Sequence, residues 1–146
     1  LSVLERIDFY ILPDASLEAR WRFTGRLADK AWHLGHSVLV LVDDLEQARQ
    51  LDQQLWALPE ESFLPHRCLE DTSQPPTQVE ISHSRRLGEH KDLLINLSEH
   101  APEQLARFRR LAEVVVQQPE LLSSSRKRFK HYQTQGYAVY HQRLGK

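Results

Sequence analysis

Arg126 and Lys130 stand four residues apart, with Phe129 between them and Lys127 next to Arg126. On a helix, positions four apart share a face, and Phe129, three after Arg126, is its neighbour in space. Two cations beside an aromatic ring suit a carboxylate carried next to an apolar side chain. An acidic peptide ending in a hydrophobic residue has that chemistry. The competing explanation is a solvated basic helix face with Phe129 turned to the core. From these residues alone the second is the favoured explanation, and charge distribution says only where an acidic ligand would go. From Leu121 to Lys146 there are six Lys or Arg and no Asp or Glu, which leaves about −7 on the remainder of a chain whose net charge is −1. If the protein binds something acidic, the C-terminal segment is therefore where it is expected.

Other chemistries find less support. The five glycines are scattered and form neither G-x-G-x-x-G nor G-x-x-x-x-G-K-[ST], so no phosphate cradle is expected. Pro13-Asp14-Ala15-Ser16, the first turn, lacks one N–H and carries an acid that would repel phosphate. The eight histidines show no H-E-x-x-H and no paired cysteines, and are read as solvated surface residues rather than metal ligands. Cys68 near His66 could be a nucleophile, but a lone cysteine is more often an incidental small residue. Ser123-Ser124-Ser125 has no elbow glycine. No enzyme activity, cofactor or metal is expected.

These residues need elements to position them. Ile7 to Leu12 alternates loosely and predicts a strand. Ser16 predicts an N-cap for a helix from Leu17 to about Leu34, with a stripe of Leu17, Trp21, Leu27, Ala28, Ala31 and Leu34, and Gly35 closes it. Ser37 to Val42 is an apolar β-branched run without polar alternation, as in a parallel strand covered on both faces. Asp43-Asp44 predicts the cap of a helix from Leu45 to about Trp56. The composition shifts from Arg67, and Glu70 to Thr77 reads as a surface loop, Gln78 to Ser82 as a short strand near an edge, and Asp92 to Leu97 as another strand. A short helix from Pro102 to Phe108 leads to a strand ending near Val116. Pro119-Glu120 opens a helix that Gly136 stops, and Tyr137 to Tyr140 is a terminal strand or packed tail. Strands alternating with helices predict an α/β fold: a single domain over residues 1–146, with a mostly parallel sheet flanked by helices and a nucleotide-binding-like topology without a phosphate loop.

Between the second helix and the loop lies Leu55-Trp56-Ala57-Leu58-Pro59-Glu60-Glu61-Ser62-Phe63-Leu64-Pro65-His66. Pro59 and Pro65 exclude a simple helix or central strand. Trp56 and Phe63 either dock on the core or face a partner. At 40% hydrophobic and 27% charged residues, the composition is that of an ordinary globular protein. No apolar run reaches the roughly 18 residues of a membrane span. Leu1 to Tyr10 carries Glu5, Arg6 and Asp8 and is no signal peptide, and one cysteine suits a reducing cytosol, so a cytoplasmic protein is expected. The chain holds no Met, a trimmed or tag-derived start is expected, and Leu1 to Glu5 carry no weight.

The Leu55–His66 segment resembles the chi subunit of bacterial DNA polymerase III. So do Phe9-Tyr10-Ile11-Leu12, the Gly35 to Leu55 stretch with Asp43-Asp44, Gln47-Ala48 and Leu51-Asp52, then Val79-Glu80-Ile81, Asp92 to Leu97, Glu113-Val114-Val115, and a final Arg126-x-Arg128-Phe129-Lys130-x-Tyr132 followed by Gly136-Tyr137. The resemblance runs from about Ile7 to Tyr137. It implies a non-catalytic accessory subunit of the clamp-loader complex that pairs with the psi subunit and binds the acidic C-terminal tail of single-stranded DNA-binding protein, linking the replicase to coated lagging-strand template.

The resemblance further implies a tail site made of Arg126, Lys130, Phe129 and Trp56, with Lys127 attracting acidic residues of the tail. It implies a psi interface at Phe63 and Leu64, which a helicase-like partner could also use. Two other readings stand beside this one. A degenerate nucleotide-binding enzyme would bind ATP or NAD saturably. A direct single-stranded DNA binder would need stacking aromatics and steep salt dependence. On the first reading no direct DNA contact and no membrane association are expected.

Overall fold

Val38–Leu41 (β2) is buried at every position, because the sheet around it carries helices on both faces. The structure is a computed structural model and describes residues 4–59 and 64–145. Before β2 come Arg6–Ile11 (β1) and Leu17–His33 (α1). After it come Leu45–Trp56 (α2), His66–Cys68 (β3), Val79–Ser82 (β4), Leu93–Asn96 (β5), a 3-10 turn at Leu105–Arg107, Arg110–Val115 (β6), Pro119–Thr134 (α3) and Val139–Arg143 (β7). The strands form one seven-stranded sheet in the order β3-β4-β2-β5-β6-β1-β7. Every pairing is parallel.

Local signals set the helices. The Ser16 hydroxyl accepts from Ala19 N at 3.1 Å and caps α1. Asp44 Oδ1 accepts from Gln47 N at 2.9 Å and caps α2. Gly35 and Gly136, at φ +90° and +88°, end α1 and α3 in a conformation that costs glycine little. Strand alternation then sorts the core into two layers. Val38, Val40, Ile95, Ala112 and Val114 face α1 and α2, together with Trp21, Ala28, Leu51 and Leu55. Ile7, Phe9, Leu39, Leu94 and Leu111 face the other way, towards Tyr132, Leu122 and Phe129 of α3.

Several expectations need correction. One strand was not expected at all: His66–Cys68 pairs with β4, and is too short and too polar to stand out by composition. β4 is not at the edge, and its polar Glu80 and Ser82 are buried because each has partners. Glu80 takes Arg67 and His90 Nε2, the latter at 2.7 Å, and Ser82 donates to Glu70. His66 and His90 are therefore interior residues, not solvated ones. The expected Pro102–Phe108 helix is only the 3-10 turn. Leu17 and Leu34, placed on the apolar stripe of α1, are 39% and 67% exposed, because they lie at the helix's two ends beyond the sheet.

Candidate functional site

α3 opens with Pro119 at its first position and Glu120 in the first turn, both favourable at a helix N-terminus. A buried polar network then fixes its rotation. Arg128 Nε donates to both oxygens of Glu113, at 3.1 and 3.0 Å. Arg128 Nη1 donates to the Glu99 carbonyl and to Ser124 Oγ. Tyr132 donates to Glu113 at 2.7 Å, and Asn96 adds a bond at 2.9 Å. Burial, with the Glu113 charge and hydrogen bond, pushes the Tyr132 phenol far up, so it stays a donor.

With Arg128 and Tyr132 turned inward, Phe129 falls on the side of α3 towards β7, and helical spacing puts Arg126 and Lys130 on the solvent side of it. The Phe129 ring meets Phe9 edge-on at 5.2 Å. It lies flat against His141 of β7, with centroids 4.4 Å apart and an interplanar angle of 2°. Phe129 is half-buried, whereas Arg126, Lys130, His141 and Arg143 are exposed. Among the described residues none of Arg126, Lys127, Lys130 or Arg143 forms an ion pair. The result is an aromatic floor, half helix and half strand, with cations near it that have no counter-charge among the described residues. A carboxylate next to an apolar group fits such a surface.

His141 and Arg143 were not singled out in the sequence. Val139–Arg143 extends the expected terminal strand beyond Tyr140, and period-two alternation then puts Val139, His141 and Arg143 on the α3 side. Arg143 counted in the basic tail, but nothing indicated that it sat beside the helix cluster.

The structure does not bring Trp56 to this place. Trp56 ends α2, is 69% exposed, and packs its ring 4.6 Å from His66 on β3. β3 and β7 are the two edges of a seven-stranded sheet, so at ~4.8 Å per strand spacing they lie about 29 Å apart. α2 and α3 also cover opposite faces. A single pocket made by Trp56 and Phe129 is therefore not formed. Trp56 lines a shallow groove with Arg49, Asp52, Arg67, Cys68 and Asp71 instead.

Lys127 is turned about 100° from Arg126 around the helix. It lines a groove with Glu99, His100, Ser124 and His131 on the far flank of α3. Leu64, expected at a psi interface, is 6% exposed and belongs to the core under α1 and α2. Phe63 lies outside the described residues.

The other candidate chemistries look as follows. Burial, with Asp52, Glu70 and Asp71 nearby, pushes the Cys68 thiol up, opposite to the shift that activates a nucleophile. Among the described residues no group of three His, Cys, Asp or Glu could hold a metal ion. At the carboxyl ends of the strands a small cavity of about 100 Å³ is lined by Asp43, His83, Arg85, Ser98 and His100. Arg20 reaches in from α1 to donate to the Val114 carbonyl, its guanidinium pushed down to about 10 by burial, and Asp43 accepts from Glu99 N. No helix among the described residues is long and apolar enough to cross a membrane.

Comparison with known proteins adds an independent line. Residues 4–140 match the sequence pattern of the family described as DNA polymerase III chi subunit, HolC. The DNA polymerase III subunit chi of Pseudomonas aeruginosa is 38% identical over 141 residues, covering 97% of this chain and 98% of that protein. The subunit of the same name in Haemophilus influenzae is 30% identical over 139 residues, covering 94% and 96%. That of Escherichia coli is 29% identical over 139 residues, covering 92% and 95%. With one pattern and three full-length relatives in agreement, the chain belongs to the DNA polymerase III chi subunit family.

Proposed function

We propose that this protein is a non-catalytic accessory subunit of a bacterial replicative DNA polymerase, and that its α3–β7 surface receives the acidic C-terminal tail of single-stranded DNA-binding protein. What supports the reading is the stack of Phe129 on His141, with Arg126 and Lys130 next to Phe129 on α3 and in no ion pair among the described residues. A terminal phenylalanine packs against those rings, and its carboxylate meets Arg126 or Lys130. Exposed ion pairs contribute about 0–1 kcal/mol each. The cations therefore mainly raise the association rate, and the buried ring supplies most of the affinity.

Psi is assigned to the opposite edge. Trp56, more than two-thirds exposed, stands there, seven positions before Phe63 in the sequence. Two partners on two edges would let the protein join the clamp-loader complex to coated template without competition between them.

The test is a titration with a fluorescent acidic peptide ending in Asp-Ile-Pro-Phe, at low and moderate salt, with the same peptide lacking the final Phe as control. Binding by the first peptide and not by the second supports the reading. A well-folded protein that binds neither removes the tail site.

A further inference from the structure

We propose that the acidic peptide binds as an added strand on the open edge of β7, a mode that rests on the tail reading above. β7 is the last strand in the sheet order and, among the described residues, has a neighbour, β1, on one side only. Ile7 N donates to the Ala138 carbonyl at 2.9 Å, and Leu144 N donates to the Ile11 carbonyl at 2.9 Å. In an extended chain the N–H and C=O of one residue point to the same side, and the side alternates along the strand. Ala138, Tyr140, Gln142 and Leu144 therefore face β1. Val139, His141 and Arg143 present their N–H and C=O groups outward. The same residues carry their side chains on the α3 face, where His141 lies against Phe129.

The edge lacks what usually discourages strand addition. It has no proline within β7 and no bulge in its pairing with β1. Its charge instead selects the occupant. A second copy pairing β7 to β7 would bring two sets of Arg126, Lys130 and Arg143 together, and like charges facing one another across strands oppose pairing. An extended acidic peptide meets the same groups with opposite charge.

The peptide's own sequence sets the register. The proline of Asp-Ile-Pro-Phe has no N–H, so it must point away from β7. By alternation the Asp before Ile also points away, while the N–H groups of Ile and Phe point towards Val139, His141 and Arg143. In an antiparallel addition, directly opposed residues share a face. Ile and Phe then lay their side chains on the α3 face, beside Phe129 and His141.

The experiment uses the unaltered protein and a set of peptides, each carrying one N-methyl group. A methyl group on an amide that faces β7 removes a donor and blocks the edge. Methylation at Ile, or at the residue two before it, should weaken binding about tenfold, whereas methylation at the Asp directly before Ile should change it less than about twofold. If the unmethylated peptide binds and methylation is tolerated equally at every position, strand addition is wrong while the tail site stands. If the unmethylated peptide does not bind at all, both readings fall. Self-association of the free protein that slows amide exchange at Val139, His141 and Arg143 would give the edge to a second copy and overturn the proposal.

Discussion

Arg128 of α3 and Glu113 of β6 meet in the interior as a two-pronged ion pair, with both side chains at most 5% exposed. Removing one partner strands the other charge away from water, which typically costs about 3–5 kcal/mol. Arg128→Met alone is therefore expected to lower unfolding free energy in urea by about that amount. Arg128→Met combined with Glu113→Gln should recover a large part of the loss, because Gln can still serve Tyr132 and Asn96. A cost below about 1 kcal/mol for the single change would mean that the pair does not anchor α3.

Arg126→Ala and Lys130→Ala should each weaken acidic-peptide binding by about twofold to fivefold, chiefly through association rate, with little change in melting temperature. Stopped-flow measurement separates the two rates. An effect confined to dissociation would argue that one of the two cations is buried by the ligand rather than steering it.

Trp56→Ala should leave acidic-peptide affinity within about twofold of the unaltered protein, since β3 and β7 are opposite edges, and should weaken a psi partner. Paired titrations of each ligand check this. Parallel loss of both partners from folded protein would contradict two separate surfaces.

Acid should destabilise the protein through Asp8, Glu70 and Glu80. Burial alone would raise the Asp8 carboxyl, but hydrogen bonds from Arg6, Arg110 and Gln142 outweigh it and hold the group below its ordinary value of 3.8. Glu80 is held below its ordinary 4.5 in the same way by Arg67 and His90, and Glu70 by Ser84, Ser82 and backbone N–H groups. A lowered folded-state pKa stabilises above the unfolded value and loses that contribution as pH falls through the folded one. Melting temperature should therefore change little through these carboxyls above about pH 5 and fall below about pH 4. Asp8→Asn should melt lower at neutral pH and show a smaller acid drop.

Much of this architecture was legible in the chain. Ser16, Gly35, Asp44, Pro119 and Gly136 mark helix ends with local chemistry that tertiary context did not override. The continuous apolar run of β2 announced a doubly covered parallel strand. What depended on distant partners was hidden. β3 owes its existence to pairing with β4, and the burial of His66 and His90 to residues remote in sequence. The same distinction governs the site. The common flank of Arg126, Phe129 and Lys130 follows from helical spacing. The stacking of His141 follows only from where β7 joins β1, and Trp56 could be separated from Phe129 only once strand order was known.

The sheet also has a mechanical character. A load applied between β3 and β7 runs across the strands and along the backbone hydrogen bonds, so the bonds between two strands open one after another rather than together. β3 is joined to β4 through three residues, His66, Arg67 and Cys68, whereas β7 is joined to β1 through five. The molecule should therefore yield at β3 first. That would give a tether a built-in release under tension while α3 and β7 stay folded. Pulling between Cys68 and a handle introduced by His141→Cys should show a small early extension before global unfolding, and a single cooperative rupture would rule this out.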